Sequence, residues 1–248
     1  MKKTDAKKEI RSLEKEVRKH QILYYQKHAP IISDREYDLL FDRLVKLEKE
    51  FSDLASPNSP TQVVGSDLDN AFEKVTHTIP VLSLDNTYST EETMKWANKF
   101  KPDSIFSLEW KIDGASLVLY YKKGELERAV SRGTGGVGDD ITNNIKTVKN
   151  LPLVLEQPET VAVRGEIFMT FADFEKVNKR EGNRFANPRN LASGTIKSKK
   201  SSQVSERPLR VMVYDAYWEK EKFQTHQEIM NTLEQLGLPT NPDIHFVA

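Results

Sequence analysis

The sequence predicts an α+β protein in which a helical pair precedes a mainly antiparallel sheet. Three observations carry this. Apolar residues recur at helical spacing over the first fifty residues, prolines break the chain between Ser52 and Thr61, and the later texture is of short alternating runs. The first three of those runs lie too close together for helical crossovers, so they must pair antiparallel. The break places a boundary near residue 65, giving a helical unit over 1–65 and a larger α+β unit over 66–248.

Ile10, Leu13, Val17 and Tyr24 recur at helical spacing through a charged background, so residues 5–28 read as an amphipathic helix that Pro30 helps to end. Ser33 and Glu36 have the spacing of a capping box. Tyr37, Leu40, Phe41, Leu44, Leu47 and Phe51 then mark one face of a second helix, antiparallel to the first. No convincing period appears between the prolines and Ser83. Ser89 to Glu92 can cap a short helix running to Phe100. Strand-like runs follow at 104–110, 115–122, 126–131, 160–168 and 209–217, with helix-like segments at 171–180 and 225–236. Lys122-Lys123-Gly124 reads as a hairpin turn.

Lys+Arg and Asp+Glu both number 37 in the 248 residues, so no global basicity marks a polyanion binder. The charge is unevenly spread. Ten basic residues fall between Lys176 and Arg210 against two acids, Glu181 and Glu206, a segment suited to phosphate ligands or simply to a solvated face. The chain has no cysteine, which excludes disulfides, thiolate metal sites and a cysteine nucleophile. No apolar run approaches the ~18 residues of a membrane span. A cytoplasmic monomer without membrane attachment is expected.

Lys111-Ile112-Asp113-Gly114, two residues after Glu109, offers two readings. A lysine between a strand-like run and a glycine, flanked by two carboxylates, is arranged as a tunable nucleophile. Alternatively Asp113-Gly114 turns a hairpin and Lys111 is solvated. Gly133-Thr134-Gly135-Gly136-Val137-Gly138 matches G-x-G-x-x-G, with a possible helix over 139–149. The preceding strand alternates charged with apolar residues, however, whereas a dinucleotide-binding first strand is apolar throughout. A glycine loop after an antiparallel strand fits better, with Arg132 beside it. Val163-Arg164-Gly165-Glu166 ends another alternating strand in a carboxylate. The irregular segment Asn187-Pro188-Arg189-Asn190 to Thr195 carries amides, hydroxyls and a guanidinium suited to phosphate or ribose. Tyr24 and Tyr25, near Asp34, Tyr37 and Asp38, can clamp a flat cationic ring, although Tyr37 can equally be core.

In order, these motifs closely resemble the N-terminal part of bacterial NAD⁺-dependent DNA ligases. The matching stretches are Tyr24-Tyr25, Pro30 to Asp38, Ser59 to Gln62, His77 to Asn86, Glu109 to Gly114, Ser131 to Thr142, Val163 to Glu166 and Phe185 to Asn190. The resemblance runs from about residue 10 to the end. It implies a helical domain that binds the nicotinamide mononucleotide (NMN) half of NAD⁺, then a nucleotidyltransferase domain of the ATP-grasp-like DNA ligase and capping-enzyme type. Tyr24, Tyr25, Asp34, Tyr37 and Asp38 would hold NMN, although the family often has histidine at Tyr25. Ser83, Leu84 and Glu109 would border the adenosine. Lys111 would attack the α-phosphate, release NMN and become adenylated. Arg132, Glu166, Arg189 and Lys197 would surround ribose and phosphate, with Mg²⁺ assisting. The AMP would then pass to the 5′-phosphate of nicked double-stranded DNA.

Two departures from the family accompany this. Thr134 stands where the family's glycine loop usually has an acid, and the later Asp-Gly-x-Val-x-Lys motif has no counterpart before Ala248. The resemblance thus predicts an incomplete nucleotidyltransferase domain, marginal solubility or partial disorder near 238–248, weak binding of NAD⁺ or NMN, and no nick closure. A non-catalytic NAD⁺/NMN-binding module is the alternative. An ATP- or GTP-using relative is a third reading, disfavoured by the tyrosine-rich helical pair.

Overall fold

A computed structural model describes residues 3–26, 30–56, 59–61, 72–220 and 222–247, the side chains of Tyr25 and Gln26 excepted. Helix α1 (Lys3–Gln21) buries Ala6, Ile10, Leu13 and Val17. It does not run on to residue 28 as a regular helix. A π-helical turn, Ile22–Gln26, takes over and carries Tyr24. Helix α2 (Asp34–Glu50) starts at the expected capping box, in which Ser33 Oγ accepts from the Glu36 amide and the Glu36 carboxylate accepts from the Ser33 amide. Ile10, Leu13, Val17, Leu44 and Leu47 form the core between the helices, with Tyr37, Phe41 and Phe51 packed against it. The expected boundary at residue 65 lies outside the described residues.

The larger unit is built on a four-stranded antiparallel sheet of β3 (Ala115–Lys122), β4 (Glu125–Ser131), β6 (Val161–Phe168) and β7 (Arg210–Tyr217), ordered β4-β3-β6-β7. Lys122 to Gly124 makes the β3–β4 turn, with Lys123 and Gly124 at φ 52° and 84°. Strand alternation separates two cores. Leu117, Leu119 and Tyr121 face the main core with Val163, Ile167, Val211 and Val213, under helices α5 (Phe171–Arg180), α6 (Pro188–Ile196) and α8 (His226–Gln235). Val118 and Ala162 face the other side, where Val81 covers them.

Two small sheets complete it. β1 (Lys74–Thr76) pairs with β5 (Val137–Asp139), and β2 (Phe106–Leu108) pairs with β8 (His245–Val247), both antiparallel. Strands β1, β5 and β8 have no period a three-residue run can display, which is why alternation missed them. Short helices α3 (Thr90–Ala97), α4 (Thr142–Ile145) and α7 (Ser201–Ser205) fill connections.

Several expectations are corrected. Strand 104–110 shortens to Phe106–Leu108 and pairs with β8 rather than β3, so Asp113-Gly114 turns no hairpin. The helix expected over 139–149 is four residues long, because Asp139 is committed to β5. The segment from Asn187 is helical: Asn187 Oδ1 caps the Asn190 amide and Pro188 occupies the first turn. Disorder over 238–248 is also not found among the described residues. Leu238 is buried, Thr240 bridges Val213, and β8 is paired. Ala248 lies outside them.

Candidate active site

The register of the central sheet assembles the site. Ser116 of β3 stands opposite Glu166 of β6, and Ser116 Oγ donates to Glu166 Oε2 at 2.7 Å. Gly114, which leads Lys111 into β3, crosses the β6 backbone so closely that a Cβ there would lie 2.1 Å from the Ile167 carbonyl oxygen. Only glycine allows the approach. Lys111 is exposed, one short irregular step away from that crossing.

Burial pushes the Glu166 carboxyl above its ordinary range, against the pull of the Ser116 hydrogen bond and of Arg189 and Lys111 nearby. Arg189, on the first turn of α6, donates to Asp113 Oδ1 at 2.8 Å and lies 4.7 Å from the centre of the Tyr24 ring. Burial works against its charge, but Tyr24, Asp113 and Glu166 outweigh burial and hold the guanidinium protonated. One arginine thereby joins the helical pair, the lysine segment and the sheet. Both carboxylates flanking Lys111 are engaged, because Glu109 Oε1 meets His226 Nε2 at 2.7 Å.

A cavity of about 390 Å³ opens between the helical pair and the larger unit. Tyr24, Asp34, Tyr37 and Asp38 line it from the helices, Asn86, Thr87 and Tyr88 from the loop before α3, and Lys111 from the sheet side. The Asp38 carboxylate accepts from Tyr88 Oη and from Asn86 Nδ2, and it pushes the Tyr88 phenol pKa up. Tyr37 serves both readings, since it packs on the helical core and its hydroxyl accepts from Gln21 Nε2. The side chain of Tyr25 lies outside the described residues.

On the sheet's second face the glycine loop and residues 77–83 hold one another. His77 and Val81 amides donate to the Gly136 and Gly135 carbonyls. Gly135 sits at φ 90° with Val81 O 2.9 Å from where its Cβ would be, so the loop needs glycine there. Arg132 then reaches Ser83 Oγ at 2.8 Å. Two buried donors, Arg132 Nε and Asn190 Nδ2, have no hydrogen-bond partner among the described residues.

Two candidates stand apart. Leu84 is 74% exposed. Lys197, at the far end of α6 from Arg189, is buried and binds Asp139, which Lys74 also holds. Sequence reasoning missed Tyr88 and His226, and also Tyr214, whose phenol is pushed up to about 12 by burial and then by Glu166. Alternation along β7 was the one signal for Tyr214. Tyr88 and His226 carried none, because their partners lie 50 and 117 residues away.

The family profile described as NAD-dependent DNA ligase adenylation domain matches residues 69–248, and that of the DNA ligase-like N-terminal NAD⁺-binding domain matches residues 3–65. A DNA ligase of Leptospira interrogans is 53% identical over 246 residues, covering 98% of this chain and 36% of that protein. DNA ligases of Leptospira biflexa and Fervidobacterium nodosum are 50% and 42% identical over 241 and 244 residues, covering 96% and 95% of this chain and 36% of each relative. The chain thus spans little more than a third of the length of these relatives.

Proposed function

Because the chain belongs to the NAD-dependent DNA ligase adenylation-domain family, we propose that it carries out self-adenylation of Lys111 from NAD⁺. The observation that carries this reading is one cavity shared by Lys111 and the Tyr24, Asp34, Tyr37 and Asp38 side chains. An amine, acids and aromatic rings around one space suit a dinucleotide with a cationic ring at one end and a reactive phosphate near the lysine.

In the proposed step Lys111 Nζ, after giving one proton to water, uses its lone pair to form a bond to the α-phosphorus, and the bond from that phosphorus to the bridging oxygen breaks. A second N–H proton passes to water as the phosphoramidate forms. NMN leaves with both bonding electrons on its phosphate, and AMP stays on the lysine as a phosphoramidate. Tyr24, Asp34, Tyr37 and Asp38 hold the NMN half. Tyr25 is assigned there by family position alone. Ser83, Leu84 and Glu109 border the adenosine, and Arg132, Glu166 and Arg189 surround the ribose and phosphate. The guanidinium of Arg189, kept charged by its surroundings, offsets negative charge developing on the phosphoryl oxygens. Lys197 acts on the phosphate only through its place on α6, since its ammonium is bound to Asp139.

We assign the larger unit to the nucleotidyltransferase fold and place the division between it and the helical unit at residue 65. Among the described residues no cluster of three or more acidic or histidine side chains could hold a metal. Mg²⁺ keeps several waters and binds substrate phosphates, so it is proposed as an ion borne by the substrate's diphosphate. Transfer of AMP to the 5′-phosphate of a nick, and sealing by the adjacent 3′-hydroxyl, are proposed for the whole protein, in a bacterial cytoplasm and as a monomer. No described helix is long and apolar enough to cross a membrane.

Incubating the chain with NAD⁺ should add one AMP to Lys111 by mass spectrometry, and Lys111→Ala should add none. ATP should give no adduct, because the helical pair offers the NMN half a site that a triphosphate cannot use. An adduct on another residue, or equal labelling by ATP, would sink the proposal.

A further inference from the structure

We propose that His226 is a specificity-determining positioning residue that makes Glu109 select a purine carrying an exocyclic amino group. The inference rests on the adenosine role given to Glu109 above, and extends it to a residue on a distant helix.

His226 opens α8 directly after the N-cap Thr225. Its backbone is fixed there by a capping box: Thr225 Oγ1 accepts from the Glu228 amide, and the Glu228 carboxylate accepts from the amides of Thr225 and Gln224. Met230 and Leu233 anchor the same helix in the main core. A side chain on so fixed a base can hold a partner to the few tenths of an ångström that selection requires.

The partner is Glu109 Oε1, at 2.7 Å from His226 Nε2. An ionised carboxylate only accepts, so Nε2 carries the hydrogen. Oε1 is thereby spent. Oε2 has no hydrogen-bond partner among the described residues and is not among their buried, unsatisfied atoms, so a ligand can reach it. The next residue is pinned as well, since Trp110 Nε1 donates to Asp243 Oδ2 at 2.8 Å. Glu109 and Lys111 both belong to the short connection between β2 and β3. A single oriented acceptor two residues before the nucleophile accepts from an amino group and repels a carbonyl oxygen at the same place. It would favour adenine over hypoxanthine. Without His226 the carboxylate is free to turn, and water can serve either base.

The test is equilibrium binding of AMP and of inosine monophosphate to the 248-residue chain by calorimetry, which needs no chemistry at Lys111. The wild type should prefer AMP by about tenfold, the scale of one hydrogen bond gained against one repelled. His226→Leu should bring the two affinities within about twofold, while His226→Gln, whose amide still donates, should keep most of the preference. His226→Leu with undiminished preference, or a wild type that binds both nucleotides equally or neither at millimolar concentration, would overturn the proposal. The AMP adduct on Lys111, measured separately, decides the adenylation reading, so either can fail alone.

Discussion

At Gly114 a single missing atom decides whether the lysine segment can enter the sheet. Gly114→Ala would drive a Cβ into the Ile167 carbonyl oxygen, and since backbone must yield, it should cost about 2–3 kcal/mol by urea denaturation. Glu166 shows the opposite sign. Its folded pKa is raised, so its contribution to stability is fully present below its ordinary 4.5 and is lost as pH rises through the folded value. Glu166→Gln should therefore unfold at higher urea than wild type at pH 7.5, with the gap closing toward pH 4. A constant gap across that range would disprove the burial argument. Lys111 stood out in the sequence because carboxylates and a glycine are its neighbours, and only the order of the motifs favoured a nucleophile over a solvated lysine. Tyr88 and His226 did not stand out, since what ties each to the site is an acid supplied from far along the chain.

Among the elements, α6 has the most to do with function, because its first turn carries Arg189 to both Asp113 and Tyr24. Asn187 holds that turn. Asn187→Ala should cost about 1 kcal/mol of stability, the usual value of an N-cap, and should raise the NAD⁺ concentration needed for half-maximal adenylation more than it lowers the maximal rate. The helical pair was readable almost residue by residue, since a continuous amphipathic stripe and a capping box are local signals. Helix α6 was hidden by a composition of amides, hydroxyls and glycine that resembles a loop, and the Asn-Pro start was the one signal that could have found it. The three-residue strands were beyond reach, because pairing alone defines them.

For the whole molecule, Asp38 with Tyr88 and Asn86, and Arg189 with Tyr24, join the helical pair to the larger unit at the site among the described residues. Polar contacts between units permit relative motion. Tyr88→Phe removes a hydrogen bond to a carboxylate and should shift the balance toward separated units by up to about tenfold, seen as a larger radius of gyration in small-angle scattering. NMN should reverse that shift; an unchanged radius would show that other contacts dominate. Charge counting misjudged this scale in one respect. The segment 176–210 looked nearly free of acids, yet Arg189, Lys197 and Arg210 find Asp113, Asp139 and Asp173 outside it, and Arg207 finds Glu181. Its net attraction for a polyanion is smaller than the sequence count implied.

The pairing of β2 with β8 also governs how the protein comes into being. Trp110, beside the nucleophile, is fastened to Asp243, 133 residues later. During synthesis Lys111 emerges before the strand that braces its approach, because β8 lies far downstream of it. Contacts of such sequence separation form late and slowly. A nascent chain that stops short of Asp243 therefore carries the Lys111 amine without the Trp110–Asp243 brace, and the adenylation proposed above should be slower in it than in a chain that includes β8.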